Sequence, residues 1–181
     1  MLTLAAISAG PFGWPVRALS GPPDLPDFQS PDQRYAWRVE ATRGPVRYEL
    51  METDTRRILV AVTDYFSDQE NHALAASHAR NVAVYWNDRS TLVALDEFNY
   101  RRAGRLYLFW IQRGKANPIR IESLIRTPRA TTEARFCVWH GWRSATRISI
   151  RLAAQNRTGE VVSKTYLLDL TDPVHPKAQP E

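Results

Sequence analysis

Cysteine is almost missing from this sequence. Cys137 is the only one, so no internal disulfide can form. Lysine is scarce too: of 24 basic residues only Lys115, Lys164 and Lys177 are lysine, and the rest are arginine. That bias can follow from genomic base composition alone. A net charge of +5 and a pI of about 9.7 therefore raise nucleic acid as a partner without arguing for it. The charge is also uneven and diffuse. Residues 1–80 carry 8 basic and 10 acidic groups, and residues 81–181 carry 16 and 9. This reads as a solvated, arginine-rich surface rather than a polyanion site. No apolar run approaches the roughly 20 residues of a membrane-spanning helix. There is no Gly-rich phosphate loop, no G-x-S-x-G elbow and no H-E-x-x-H, so the sequence implies neither a cofactor nor a metal.

What is present is a globular composition, with 44% apolar and 24% charged residues in 181. That length is enough for one ordinary domain with its own core. Leu2–Ala9 is a short apolar run ending in small residues, like a secretory signal, although no basic residue precedes Arg17. The expected location is periplasmic or secreted if it is one, and cytoplasmic otherwise. Residues 10–32 hold Pro11, Pro15, Pro22, Pro23, Pro26 and Pro31, the composition of an extended leader with no core of its own. The end of the chain, with Pro173, Pro176 and Pro180, reads the same way. The expected organisation is a leader over 1–29, a single β domain over 30–172 and a flexible tail over 173–181.

Between the tails the signals are for strands. Runs rich in β-branched and aromatic residues occur at Tyr35–Ala41, Val46–Glu52, Ile58–Thr63, Val82–Trp86, Thr91–Phe98, Arg105–Gln112, Ile119–Ile125, Arg135–Trp139, Thr146–Ala153 and Val161–Leu170. Asn, Asp, Gly, Arg and Pro fill the gaps, as hairpins require. Arg105–Gln112 is apolar on both faces, which predicts a central strand. One segment differs. Ser67 and Glu70 form a capping-box pair ahead of an alanine-rich stretch, which predicts a short helix over 68–79.

The strands also repeat. Aligning Tyr35, Leu92 and Ile148 gives offsets of 57 and 56, and Tyr48, Tyr107 and Tyr166 are each 59 apart. Ser30-Pro31-Asp32-Gln33-Arg34, Trp86-Asn87-Asp88-Arg89-Ser90 and Trp142-Arg143-Ser144 precede the three first strands, and Leu106-Tyr107-Leu108 and Tyr166-Leu167-Leu168 mark second strands. These units resemble the blades of TolB-type β-propellers, with Gln33 where glycine is usual. The resemblance spans roughly residues 30–172. It implies antiparallel meander sheets and a non-enzymatic binding or scaffold role like that of propeller-type interaction domains, with a protein or peptide partner. A closed propeller needs at least about four blades, and the repeats supply about two and a half. The residues leave open a propeller-blade-like partial stack, a β-sandwich of similar hairpins, or a homo-oligomer that closes by association.

Three segments hold the candidate site residues. Asp64, Asp68, Glu70, His72 and His78 could bind a metal or perform acid–base work, the alternative reading being a hydrolase or metal-dependent enzyme. Six residues separate the two histidines, which puts them on different helix faces, and the acids also suit a helix N-terminus. Asp96 and Glu97 end an apolar strand. As neighbours they point to opposite faces, with Arg101, Arg102 or Arg105 as expected partners across the hairpin. His140, Trp142 and Arg143 fall in an expected turn, where Trp142 is hard to bury. Cys137 sits in an apolar run and is expected to be a buried, structural thiol.

Overall fold

Apolar residues at alternate positions of short segments build eleven strands in this computed structural model, which describes residues 28–40, 47–63, 82–97, 105–128 and 131–181. Strands β1 (Tyr35–Glu40), β2 (Arg47–Glu52) and β3 (Ile58–Thr63) form the first sheet. Strands β4 (Val82–Trp86), β5 (Leu92–Glu97), β6 (Leu106–Gln112) and β7 (Lys115–Ile119) form the second. Strands β8 (Thr131–Ser144), β9 (Arg147–Asn156), β10 (Val161–Asp169) and β11 (Lys177–Pro180) form the third. Each sheet is an antiparallel meander in chain order, so strands consecutive in sequence pair with each other. An isolated bridge from Gln29 to Ala36 extends the first sheet beyond β1.

The second sheet is the middle layer. Along β5, Leu92 and Ala94 face the third sheet and join Leu106, Leu108, Val138, Ile148, Ile150 and Leu152 in one core. Val93 and Leu95 face the first sheet and join Trp37, Tyr48, Leu50, Phe109 and Ile111 in another. All six residues of β5 are buried. This strand has no polar alternation because both its faces are covered. Each fully buried Leu or Ile contributes about 1.5–3 kcal/mol relative to exposure. Two cores sharing one sheet therefore couple all three layers.

Several features recur 57 residues apart. In the turn before β1 the Ser30 N–H donates to the Tyr35 carbonyl, and Gln33 N–H to Ser30 O; before β5, Asn87 N–H donates to Leu92 O and Ser90 N–H to Asn87 O. Gln33 and Ser90 both adopt positive φ, 62° and 56°. So do Arg56 and Arg113, which open the next hairpins, at 56° and 50°. One backbone bond occurs in all three sheets: Thr53 N–H to Arg34 O, Ile111 N–H to Thr91 O and Leu170 N–H to Thr146 O.

The structure departs from the sequence reading at four places in the strand pattern, apart from the site residues. Alignment of Ile148 with Leu92 is one residue out of phase. Ile148, Ile150 and Leu152 face back toward the second sheet, as Val93 and Leu95 face back toward the first. A one-residue slip exchanges the faces of a strand, so the register that conserves facing pairs Leu92 with Ser149. The 59-residue tyrosine spacing also fails for its first pair, because Tyr48 faces the second sheet whereas Tyr107 faces back toward the first. The run Ile119–Ile125 is not a strand; β7 ends at Ile119, and a 3-10 turn, Ile121–Ser123, buries Ile121 and Ile125. Finally, part of the expected tail is ordered, since Lys177–Pro180 pairs with Tyr166–Asp169 and supplies the edge strand of the third sheet. The third unit therefore has four strands. The helix expected over 68–79 lies outside the described residues.

Candidate functional site

The turns before β1, β5 and β9 lie along one end of the stack, and their side chains link the sheets. Ser30 Oγ accepts from the Tyr35 N–H at 3.0 Å, and Asn87 Oδ1 accepts from the Leu92 N–H at the same distance. Asn87 also donates through Nδ2 to the Ala145 carbonyl at 2.7 Å, tying the second turn to the third. The first turn is tied to the second where Ser90 Oγ accepts from the Asp32 N–H at 3.1 Å. Asn87 and Ser90 are almost fully buried. Satisfied polar side chains of this kind fix the relation of neighbouring layers.

Beside this end lies a groove of about 620 Å³ lined by Gln29, Ser30, Pro31, Gln33, Val84, Tyr85, Trp86 and Trp142. Among the described residues no charged side chain lines it. Its aromatic rings are held in place. Trp86 stacks on Tyr35, with ring centres 6.3 Å apart and planes 16° apart. Trp142 donates its indole N–H to the Tyr85 carbonyl at 2.9 Å. The backbone of β8 makes the second contact possible. Its register with β9 shifts between Val138 and Gly141, and Gly141 adopts a φ of 71°. This left-handed conformation suits glycine and carries Trp142 to β4. The segment from His140 to Arg143 is thus a bulged strand, not the expected turn, and Trp142 is half-buried against a neighbouring sheet.

A second polar cluster lies between the second and third sheets. The Asp96 carboxylate is buried and accepts from the Val138 N–H at 2.9 Å. Arg135 Nη2 approaches its other oxygen to 3.7 Å, an ion pair too long for a hydrogen bond. Burial raises the Asp96 carboxyl to about 6, against the opposing pull of Arg135 and the Val138 N–H. The neighbouring Cys137 thiol is pushed up to about 12 by burial and by the Asp96 charge. A thiol so far from ionising is not a nucleophile at neutral pH, as its apolar run suggests. On the exposed face of the same strands the Arg151 guanidinium lies over the Trp139 ring.

The described residues among the predicted site residues do not converge. Asp96 and Glu97 do face opposite ways, but Asp96 takes its partners from β8 across the sheet interface rather than from its own hairpin. Glu97 is buried and its N–H donates to the Arg105 carbonyl. His140 is exposed, with its ring edge-on to Trp139 at 5.3 Å. Arg143 pairs loosely with Glu181 at 3.9 Å on the surface. Of the three, Trp142 alone reaches the groove. Asp64, Asp68, Glu70, His72 and His78 lie outside the described residues. Among the described residues no group of three His, Cys, Asp or Glu is placed to hold a metal ion. Sequence reasoning missed Gln29, Ser30, Pro31, Gln33, Val84, Tyr85 and Trp86 as lining residues. A signal for them existed: Phe28, Tyr85 and Trp142 are aromatics at intervals of 57. Comparison with protein-family models, curated proteins and solved structures gives no match.

Proposed function

We propose that this protein is a non-enzymatic binding or scaffold module, an open stack of units resembling TolB-type propeller blades, whose ligand lies in the groove at Tyr85, Trp86 and Trp142. The observation that carries this reading is the groove itself: its described lining is uncharged and includes aromatic rings already fixed by stacking and hydrogen bonding. Rings held in place lose little conformational freedom when a ligand arrives, which favours binding. The blade-like reading draws support from the turn hydrogen bonds and positive-φ residues 57 apart and from three meanders packed layer on layer. The signal-like run Leu2–Ala9 makes export part of the same proposal. No helix among the described residues is long and apolar enough to cross a membrane. The alternative enzyme at Asp64–His78 has no described residue to support it.

The test is quantitative capture from source-cell extract by the tagged protein and by Trp142→Ala, with circular dichroism and native mass to show that both are folded and equally assembled. The expected result is a saturable partner recovered at least tenfold less well by the variant. Equal recovery by both proteins would remove the groove from the function.

A further inference from the structure

β4 is the edge strand of the second sheet, and its free side forms part of the groove. Antiparallel pairing alternates: residues that bond to the partner strand are separated by residues whose N–H and C=O point away from it. The phase is fixed here by two bonds. Asn87 N–H donates to Leu92 O, and Ile111 N–H donates to Thr91 O. The even-numbered residues of β5 therefore bond to β4, and Tyr85 faces Ala94 across that ladder. Val84 and Trp86 then direct their main-chain groups outward, into the groove that both residues line. Among the described residues nothing pairs with them. The two other open edges nearby are already occupied: Gln29 bridges to Ala36 beside β1, and Asp96 accepts the outward N–H of Val138 on β8. β4 is the exception.

We infer that the groove takes an extended, uncharged peptide segment that adds a strand to β4, its main chain pairing with Val84 and Trp86 and a side chain resting against Tyr85 and Trp142. This rests on the groove being the binding site and specifies its ligand. Main-chain pairing supplies affinity in such strand addition, and flanking pockets select alternate side chains. The described lining selects against charge because none of its side chains is charged. Gln29 and Gln33, both exposed, offer amide groups at the rim.

The probes are a pool of acetylated, amidated hexapeptides of Ala, Val, Thr, Tyr and Gln, the same pool N-methylated at every residue so that neither edge can donate, and cellohexaose. Binding is read from the amide resonances of Val84, Tyr85, Trp86 and Trp142 in the full chain. The expected result is a saturable shift at Val84 and Trp86 with the plain pool, and a response at least tenfold weaker with the N-methylated pool. Val84→Pro should weaken the plain pool equally, because proline removes an outward donor at an edge position that tolerates it; its melting temperature confirms that it is folded. Equal binding of plain and methylated pools overturns the inference. So does a shift with cellohexaose alone, which leaves the groove as the site but assigns it a carbohydrate. If none of the three probes moves the Tyr85, Trp86 or Trp142 resonances, the inference and the groove reading both fail.

Discussion

Asp96 is a buried carboxyl whose titration is displaced from its value in water. Its folded-state carboxyl titrates near 6 rather than 3.8, so the folded protein holds the proton more tightly than the unfolded chain does. The stabilisation from the protonated form is complete below about pH 4 and is lost as the pH rises through 6. Asp96→Asn keeps an acceptor for the Val138 N–H and stays neutral. It should therefore exceed the parent in stability above pH 7, by up to about 3 kcal/mol, and the gap should close toward pH 4. Melting temperatures of both proteins between pH 4 and 8 check this, and a constant gap would contradict it. Cys137 gives a second expectation. With its thiol buried and pushed up to about 12, it should resist a disulfide reagent at pH 8 and react fully once denaturant is added. The burial of Cys137 was legible from its apolar neighbours. The displaced titration of Asp96 was not, because its cause is burial, which depends on the packing of the second sheet against the third.

At the scale of the element, the turns decide the most. Asn87 is 1% exposed and serves the Thr91 N–H, the Leu92 N–H and the Ala145 carbonyl at once. Asn87→Ala leaves those buried groups unpaired and should cost about 2–4 kcal/mol. Ser30→Ala, at the matching place in the first unit, should cost about 1 kcal/mol. Chemical denaturation of both variants measures the difference, and equal costs would refute the role of the Asn87–Ala145 link. Gln33 occupies the left-handed conformation that a glycine holds without strain. Gln33→Gly should therefore stabilise by about 0.5–1 kcal/mol after the entropy of the extra glycine is deducted. Most strands were legible from composition, since β-branched and aromatic runs differ from their polar turns. Their ends, the bulge at Gly141 and the short turn after Ile119 were not. A bulge depends on what the partner strand offers, and Ile121 is buried in either conformation.

For the whole molecule, both cores meet on the second sheet. Leu95 lies in the core facing the first sheet and Ile150 in the core facing the third. Leu95→Ala and Ile150→Ala should each cost about 2–5 kcal/mol. Each should lower one common transition rather than release one sheet, as followed by hydrogen exchange in β1–β3 and β8–β10. Separate transitions for the outer sheets would show that the layers are not coupled. The sequence by itself determined the β class and the positions of most strands, because these depend on local alternation and on turn chemistry written within a few residues. Only the tertiary structure decided which face of each strand is covered, that Lys177–Pro180 completes the third sheet, and that Trp142 reaches β4 to wall a groove. Those outcomes follow from packing between sheets, where a one-residue change of phase exchanges inside for outside. No local pattern records which distant strand will pack on which edge.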